Sequence, residues 1–211
     1  MKNWFNVQLG RQLSNPKGFS GLILGKLMNK NNYPMYLDAY HLLEFEKGDE
    51  VLEIGFGNGA FIKEIVDLTE PGKYSGIDIS DTMIRTAKKR NRSLINNGKV
   101  KLVKAHARLL PFEDESFDKV FTINTIYFWE HPNQVMQEIK RVLKPGGVFV
   151  VALGTKEAME KNGYFEERFM LYTKEDVEKL FIDGGFTDLK ITYGKLKIED
   201  VLCIRGVLKA N

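Results

Sequence analysis

Cysteine is almost absent from this chain: Cys203 is the only one in 211 residues. A single thiol cannot close an internal disulfide. That excludes a disulfide-stapled scaffold and suits a reducing compartment. Histidine is nearly as scarce. His41, His106 and His131 fall on separate stretches without the short spacings of zinc ligands, so no metal is expected. Long apolar runs are missing too. The longest strongly apolar stretch, Val148 to Leu153, is strand-sized, far short of the roughly 20 residues of a membrane span. The opening MKNWFNVQLGRQ lacks the apolar core of a secretory signal. A cytoplasmic location is expected. Nor does one sign of charge dominate: 31 Lys and Arg against 28 Asp and Glu leave +3, which argues against a nucleic-acid partner. Internal repeats and low-complexity segments are absent.

What is present is patterned. Apolar residues form 43% of the chain, enough for a sizeable core, and the length suits one domain. Beyond residue 50, short β-rich runs alternate with helical runs. Strands are predicted at 51–54, 73–79, 99–105, 118–124 and 148–153, and helices at 60–68, 81–96, 133–143 and 176–183. Such alternation implies a parallel sheet covered on both faces. Two final strands, 186–193 and 198–208, have no helix between them. They must form a hairpin, so one strand runs antiparallel to the rest. Residues 1–47 stand outside this pattern and read as helices broken at Asn15-Pro16, Gly18, Gly21 and Tyr33-Pro34.

The strongest local signal is Glu53-Ile-Gly55-Phe-Gly57-Asn-Gly59, where a strand gives way to a helix. Glycines there allow a tight turn and close approach of a ligand. Asp78 ends the next predicted strand, 19 positions after Gly59 (78 − 59). A carboxylate at about that offset can accept both hydroxyls of a ribose. With Ala60 the loop also satisfies a G-x-G-x-x-A dinucleotide pattern, so an NAD(P)-dependent oxidoreductase competes. Three features weigh against it. Glu53 lies inside the strand, a terminal hairpin replaces further βαβ winding, and the chain leaves no obvious second domain.

In order along the chain, VLEIGFGNG (51–59), GIDIS (76–80), LLPF (109–112), SFDKVF (116–121) and EIKRVLKPGGVFVV (138–151) resemble the motif series of class I S-adenosylmethionine (SAM)-dependent methyltransferases. The segment YTKEDVEKLFIDGGF (172–186) resembles the stretch before their terminal hairpin. The likeness spans about residues 48–190 and is nearest the small-molecule, ubiquinone/menaquinone-type branch. It implies an α/β fold: a Rossmann-like three-layer sandwich with a mostly parallel seven-stranded sheet ending in an antiparallel hairpin. Residues 48–211 would form the methyltransferase domain and residues 1–47 a helical N-terminal cap or lid. The cofactor would be S-adenosyl-L-methionine and the product S-adenosyl-L-homocysteine. A methyl group would pass to a small-molecule O, N or C nucleophile.

The resemblance also implies roles. Gly55, Gly57 and Gly59 would shape the loop around the methionine part. Glu53 would support that loop or receive the ammonium through water. Asp78 would hold the ribose, Ile79 and Met83 would flank the adenine, and Asn124 would act at the end of the fourth strand. One departure stands out. The family usually reads Gly-Asp-Ala before Leu-Pro-Phe, whereas this chain has Ala105-His106-Ala107. Neutral His106 could accept from the adenine amino group in place of the aspartate, and protonation would remove that ability.

For the acceptor side the candidates follow the fourth predicted strand. Tyr127 could orient an acceptor and His131 could take a proton, although wall, core and helix-start roles compete. A sulfonium methyl is already activated, so alignment and exclusion of water suffice for many nucleophiles. Phe19, Leu22, Ile23 and Leu27, followed by Tyr33, Met35, Tyr36 and Tyr40, suggest a helix packed on the domain or a cover over an apolar or aromatic acceptor. Phe165, Phe169, Met170 and Tyr172 suggest an opposite wall. A SAM-binding module without acceptor chemistry is the non-enzymatic alternative.

Overall fold

A computed structural model describes residues 18–161, 169–194 and 200–210, with side chains from residue 29 onward. Phe165 and the side chains of Phe19, Leu22, Ile23 and Leu27 lie outside the described residues. The elements are α1 (Gly18–Leu43), β1 (Glu50–Ile54), α2 (Ile62–Thr69), β2 (Lys73–Asp78), α3 (Asp81–Arg90), α4 (Arg92–Asn96), β3 (Val100–Lys104) and β4 (Phe117–Ile123). Then come α5 (Pro132–Val142), β5 (Leu143–Gly154), α6 (Lys156–Lys161), α7 (Lys174–Asp183), β6 (Phe186–Tyr193) and β7 (Val201–Leu208).

The seven strands form one sheet in the order β3-β2-β1-β4-β5-β7-β6. β1 pairs in parallel with β2 and β4, β2 with β3, and β4 with β5. β7 runs antiparallel between β5 and β6. The expected Rossmann-like, mostly parallel sheet with a terminal hairpin is therefore the observed fold. Alternation along β5 explains how both faces are covered. Phe149, Val151 and Leu153 join a core with Val135, Met136 and Ile139 of α5 and Val177 and Phe181 of α7. Val148, Val150 and Ala152 join the opposite core with α1, α2 and α3.

Three boundaries differ from expectation. Residues 18–43 form one helix through Gly21 and Pro34, where breaks are expected. An internal proline costs ~3 kcal/mol through the missing N–H and steric clash. Each of Met35, Tyr36, Leu42 and Leu43, all buried, offsets this with ~1.5–3 kcal/mol. The predicted helix 81–96 instead ends at Asn91 and restarts. Asn91 Nδ2 donates to the Ala87 carbonyl and, 2.9 Å away, to the Gly59 carbonyl, so the interruption ties the helix to the glycine loop. β5 begins at Leu143, before Lys144-Pro-Gly-Gly, rather than at 148.

Candidate active site

In an open sheet of this kind, ligands lie beyond the carboxyl ends of the parallel strands, where the winding reverses. Here β1 lies between β2 and β4. A cleft opens there, lined by the loops after β1, β2, β3 and β4 and by one face of α1. Gly55, Gly57, Asp78, Ile79, Met83, His106, Ala107 and Asn124 line it together. Glu53 and Gly59 do not line it. Their places are structural, as follows.

Gly55 (φ +82°) and Gly57 (φ +57°) both use the left-handed region that side chains disfavour. Their surroundings differ. A Cβ on Gly55 would stand 2.3 Å from Thr125 Cγ2, so the loop packs directly on the segment after β4. A Cβ on Gly57 would meet nothing within 4 Å. Its bare backbone therefore faces open space in the cleft. The Gly59 carbonyl is held by Asn91 behind the loop.

Asp78 sits at the end of β2 and fixes the loop facing it. Its Oδ2 accepts from Gly57 N at 2.9 Å and its Oδ1 from Ser80 N at 2.8 Å. An ionised carboxylate offers about four lone-pair positions, so each oxygen retains room for another donor. Burial pushes this carboxyl up to about 6, with the backbone N–H bonds from Ser80 and Gly57 pulling it back. It is therefore mostly ionised at neutral pH. Ser80 caps α3 by accepting from Met83 N, which seats Met83 against the cleft.

Glu53 is only 1% exposed. Its Oε1 accepts from Tyr36 OH and its Oε2 from Tyr74 OH, each at 2.5 Å. Burial raises it to about 7 against the pull of those two hydrogen bonds. Through Tyr74 it ties β1 to β2, and neither partner belongs to the glycine loop. It also links α1 to β1, because Tyr36 belongs to α1 and its ring lines the cleft.

His106 Nδ1 accepts from Arg108 N at 3.3 Å. Burial and the nearby Arg108 cation lower its pKa, so the ring is neutral at pH 7. A neutral ring whose Nδ1 accepts carries its hydrogen on Nε2, which then donates. On that tautomer Nε2 is a donor, whereas the expectation from the sequence is an acceptor.

The acceptor candidates need correction. Tyr127 is 4% exposed and does not line the cleft; Phe128 and Trp129 do. The Tyr127 hydroxyl accepts from Gly154 N at 2.5 Å and lies 3.1 Å from Asn124 Oδ1. Packing in the core around Phe169 claims its ring. His131 is exposed at the start of α5, before Pro132, and lies outside the cleft. Phe169 and Tyr172 are core residues, while Met170 is exposed. Sequence reasoning missed Asn29 and Asn32, which line the cleft beside Tyr36. Their i, i+3, i+7 spacing marks one helix face, but polar residues on such a face give no sign of what it covers. Among the described residues no cluster of His, Cys, Asp or Glu could hold a metal ion, and no helix is long and apolar enough to cross a membrane.

Residues 52–151 match the methyltransferase domain family. YrhH of Bacillus subtilis, a methyltransferase by name, is 30% identical over 165 residues, covering 78% of this chain and 81% of its own. This chain belongs to the class I SAM-dependent methyltransferases. The methyltransferase is also similar to YdaC of the same bacterium, 26% identical over 185 residues, 86% of this chain and 96% of that protein. In fold it resembles a SAM-dependent methyltransferase from Aquifex aeolicus, with a TM-score of 0.68 at 22% identity over 83% of this chain and 89% of that one. Its cofactor is S-adenosyl-L-methionine. The family membership sets aside the nicotinamide alternative. The family match covers the strands that carry Gly55, Asp78 and Asn124, and it leaves α1 outside.

Proposed function

We propose that this methyltransferase acts on a small-molecule O, N or C nucleophile with apolar or aromatic character, held between α1 and the segment after β4. The observation that carries the cofactor half is Asp78, with one backbone N–H on each oxygen and room for a diol. Asp78 grips the ribose hydroxyls. Ile79, Met83 and Ala107 flank the base, and the His106 Nε2–H donates to an adenine ring nitrogen. The open backbone of Gly57 leaves space for the methionine part, and Gly55 keeps the turn packed on Thr125. When bound, S-adenosyl-L-methionine supplies a methyl group already activated by a sulfonium. The protein then orients the nucleophile and excludes water.

The wall formed by Tyr36, Phe61, Phe128 and Trp129 supports an apolar or aromatic acceptor. Residues 1–47 act as the cover of residues 48–211, with α1 latched through Tyr36 to Glu53 and through Asn32 to Asn124. The lone cysteine, buried and raised to about 12 by burial, fits work in the reducing cytoplasm. Calorimetry with S-adenosyl-L-homocysteine and with NAD, on wild type and Asp78→Ala, tests the cofactor site. Turnover of SAM over a panel of phenols, amines and β-dicarbonyls tests the acceptor class. Binding of the homocysteine product without turnover of any acceptor would leave a SAM-binding module instead.

A further inference from the structure

The hydrogen bonds behind the acceptor wall run in one direction. Gly154 N–H donates to the Tyr127 hydroxyl at 2.5 Å, which turns the hydroxyl hydrogen outward. That hydroxyl donates to Asn124 Oδ1 at 3.1 Å, with the Gly154 carbonyl at 3.2 Å as an alternative. Asn124, held at φ +55°, therefore has its amide oxygen facing Tyr127 and its nitrogen on the far side. There Nδ2 donates to Asn32 Oδ1 and to Met35 Sδ, each at 3.1 Å. A thioether sulfur accepts and cannot donate, so it fixes the nitrogen on that side independently. Asn32 has then spent its amide oxygen. Its remaining polar group is the NH2, and among the described residues this has no acceptor. Asn32 lines the cleft.

We infer that Asn32 is a specificity-determining residue that presents a fixed amide N–H donor to the acceptor, so that the acceptor carries a carbonyl-type oxygen. The inference rests on the methyltransferase reading of this cleft and narrows it. Asn32 is half-buried, so a ligand that displaces water from its amide must accept the N–H or leave it unpaired at a cost in free energy. An oxygen lone pair removes that cost, whereas an ammonium group would meet the donor hydrogens head-on. Phe61 and Phe128 line the same cleft, and a neutral carbonyl costs less to desolvate there than a full charge. The relay behind Asn32 matters because it stops the amide from flipping to offer its oxygen. Tyr127 thus acts as a positioning residue through Asn124, without touching the ligand.

The test uses the full chain saturated with S-adenosyl-L-homocysteine. Acetophenone and benzylamine, similar in size and opposite in hydrogen-bonding sense, are titrated by ligand-observed NMR. Acetophenone is expected to bind about tenfold more tightly than benzylamine, the scale of one net neutral hydrogen bond. Asn32→Ala, at a helical position that tolerates alanine, removes the preference. Asn32→Asp reverses it toward benzylamine. Calorimetry checks that both variants still bind S-adenosyl-L-homocysteine, so that the acceptor preference is read on loaded protein. Equal or tighter benzylamine binding, binding of neither compound, or a preference that survives Asn32→Ala overturns the inference. So does a drop in S-adenosyl-L-homocysteine affinity on Asn32→Ala, which would assign the donor to the cofactor. Wild-type protein that fails to bind S-adenosyl-L-homocysteine at all defeats the parent reading, and this one with it.

Discussion

On one wall of the cleft the polar groups stand on loops that follow β1, β2 and β3, and backbone N–H groups hold them. Asp78 takes its two bonds from Gly57 and Ser80. On the other wall, Asn32 and Tyr36 of α1 meet Asn124 and Glu53, 92 and 17 residues away. Side chain meets side chain there, and each group depends on the next. The first wall is built of main-chain geometry that sequence motifs encode. The second is assembled by packing and can be altered by changing one helix face.

The largest effect on this contrast between the walls is expected at Asp78. Replacing it with alanine should weaken S-adenosyl-L-homocysteine binding by about 100-fold or more, the scale of two lost hydrogen bonds to a charged group. Unchanged affinity in calorimetry would remove the first wall from the argument.

Two glycines sharpen it next. Gly55→Ala should lower thermal stability by about 2–4 kcal/mol, because a Cβ 2.3 Å from Thr125 adds overpacking to left-handed strain. Gly57→Ala should cost only about 1 kcal/mol of stability, its strain alone, while weakening the homocysteine product's binding. If both variants lost stability alike, Gly57 would not face an open cradle. On the second wall, Tyr127→Phe should cost about 1–2 kcal/mol by stranding Gly154 N–H. Its S-adenosyl-L-homocysteine affinity should stay near wild type; a large loss would move Tyr127 to the cofactor side.

Glu53 provides a pH test. It sits near 7 in the fold against a usual 4.5, because burial disfavours its charge. Between those values the folded chain keeps a proton that the unfolded chain has lost, so stability falls as pH rises from about 4.5 to about 7, then levels. Asp78, raised to about 6 from 3.8, adds a slope of the same sign at lower pH. In chemical denaturation across pH 4.5–7.5, Glu53→Gln should flatten the slope between about 6 and 7 and keep the part below it, to which Asp78 contributes. An unchanged curve would mean that Glu53 is not buried as a carboxylate between Tyr36 and Tyr74. The smallest effect is expected at His106→Ala: a few-fold loss of S-adenosyl-L-homocysteine affinity at pH 8, since one neutral hydrogen bond is at stake.

The order in which the chemistry falls along the strands is legible in the amino-acid sequence alone. The glycine turn after β1, the acidic end of β2, the His106 departure and the closing hairpin are all local patterns, set by φ preferences, alternation and spacing over a few residues. Only the tertiary structure decided that α1 runs unbroken through Pro34, that Glu53 is sealed by two tyrosines, that Tyr127 turns inward and that Asn29 and Asn32 reach the cleft. Each of those outcomes depends on contacts between residues far apart in the chain, where burial outweighs local propensity and a polar side chain takes its orientation from whichever partner the fold brings to it.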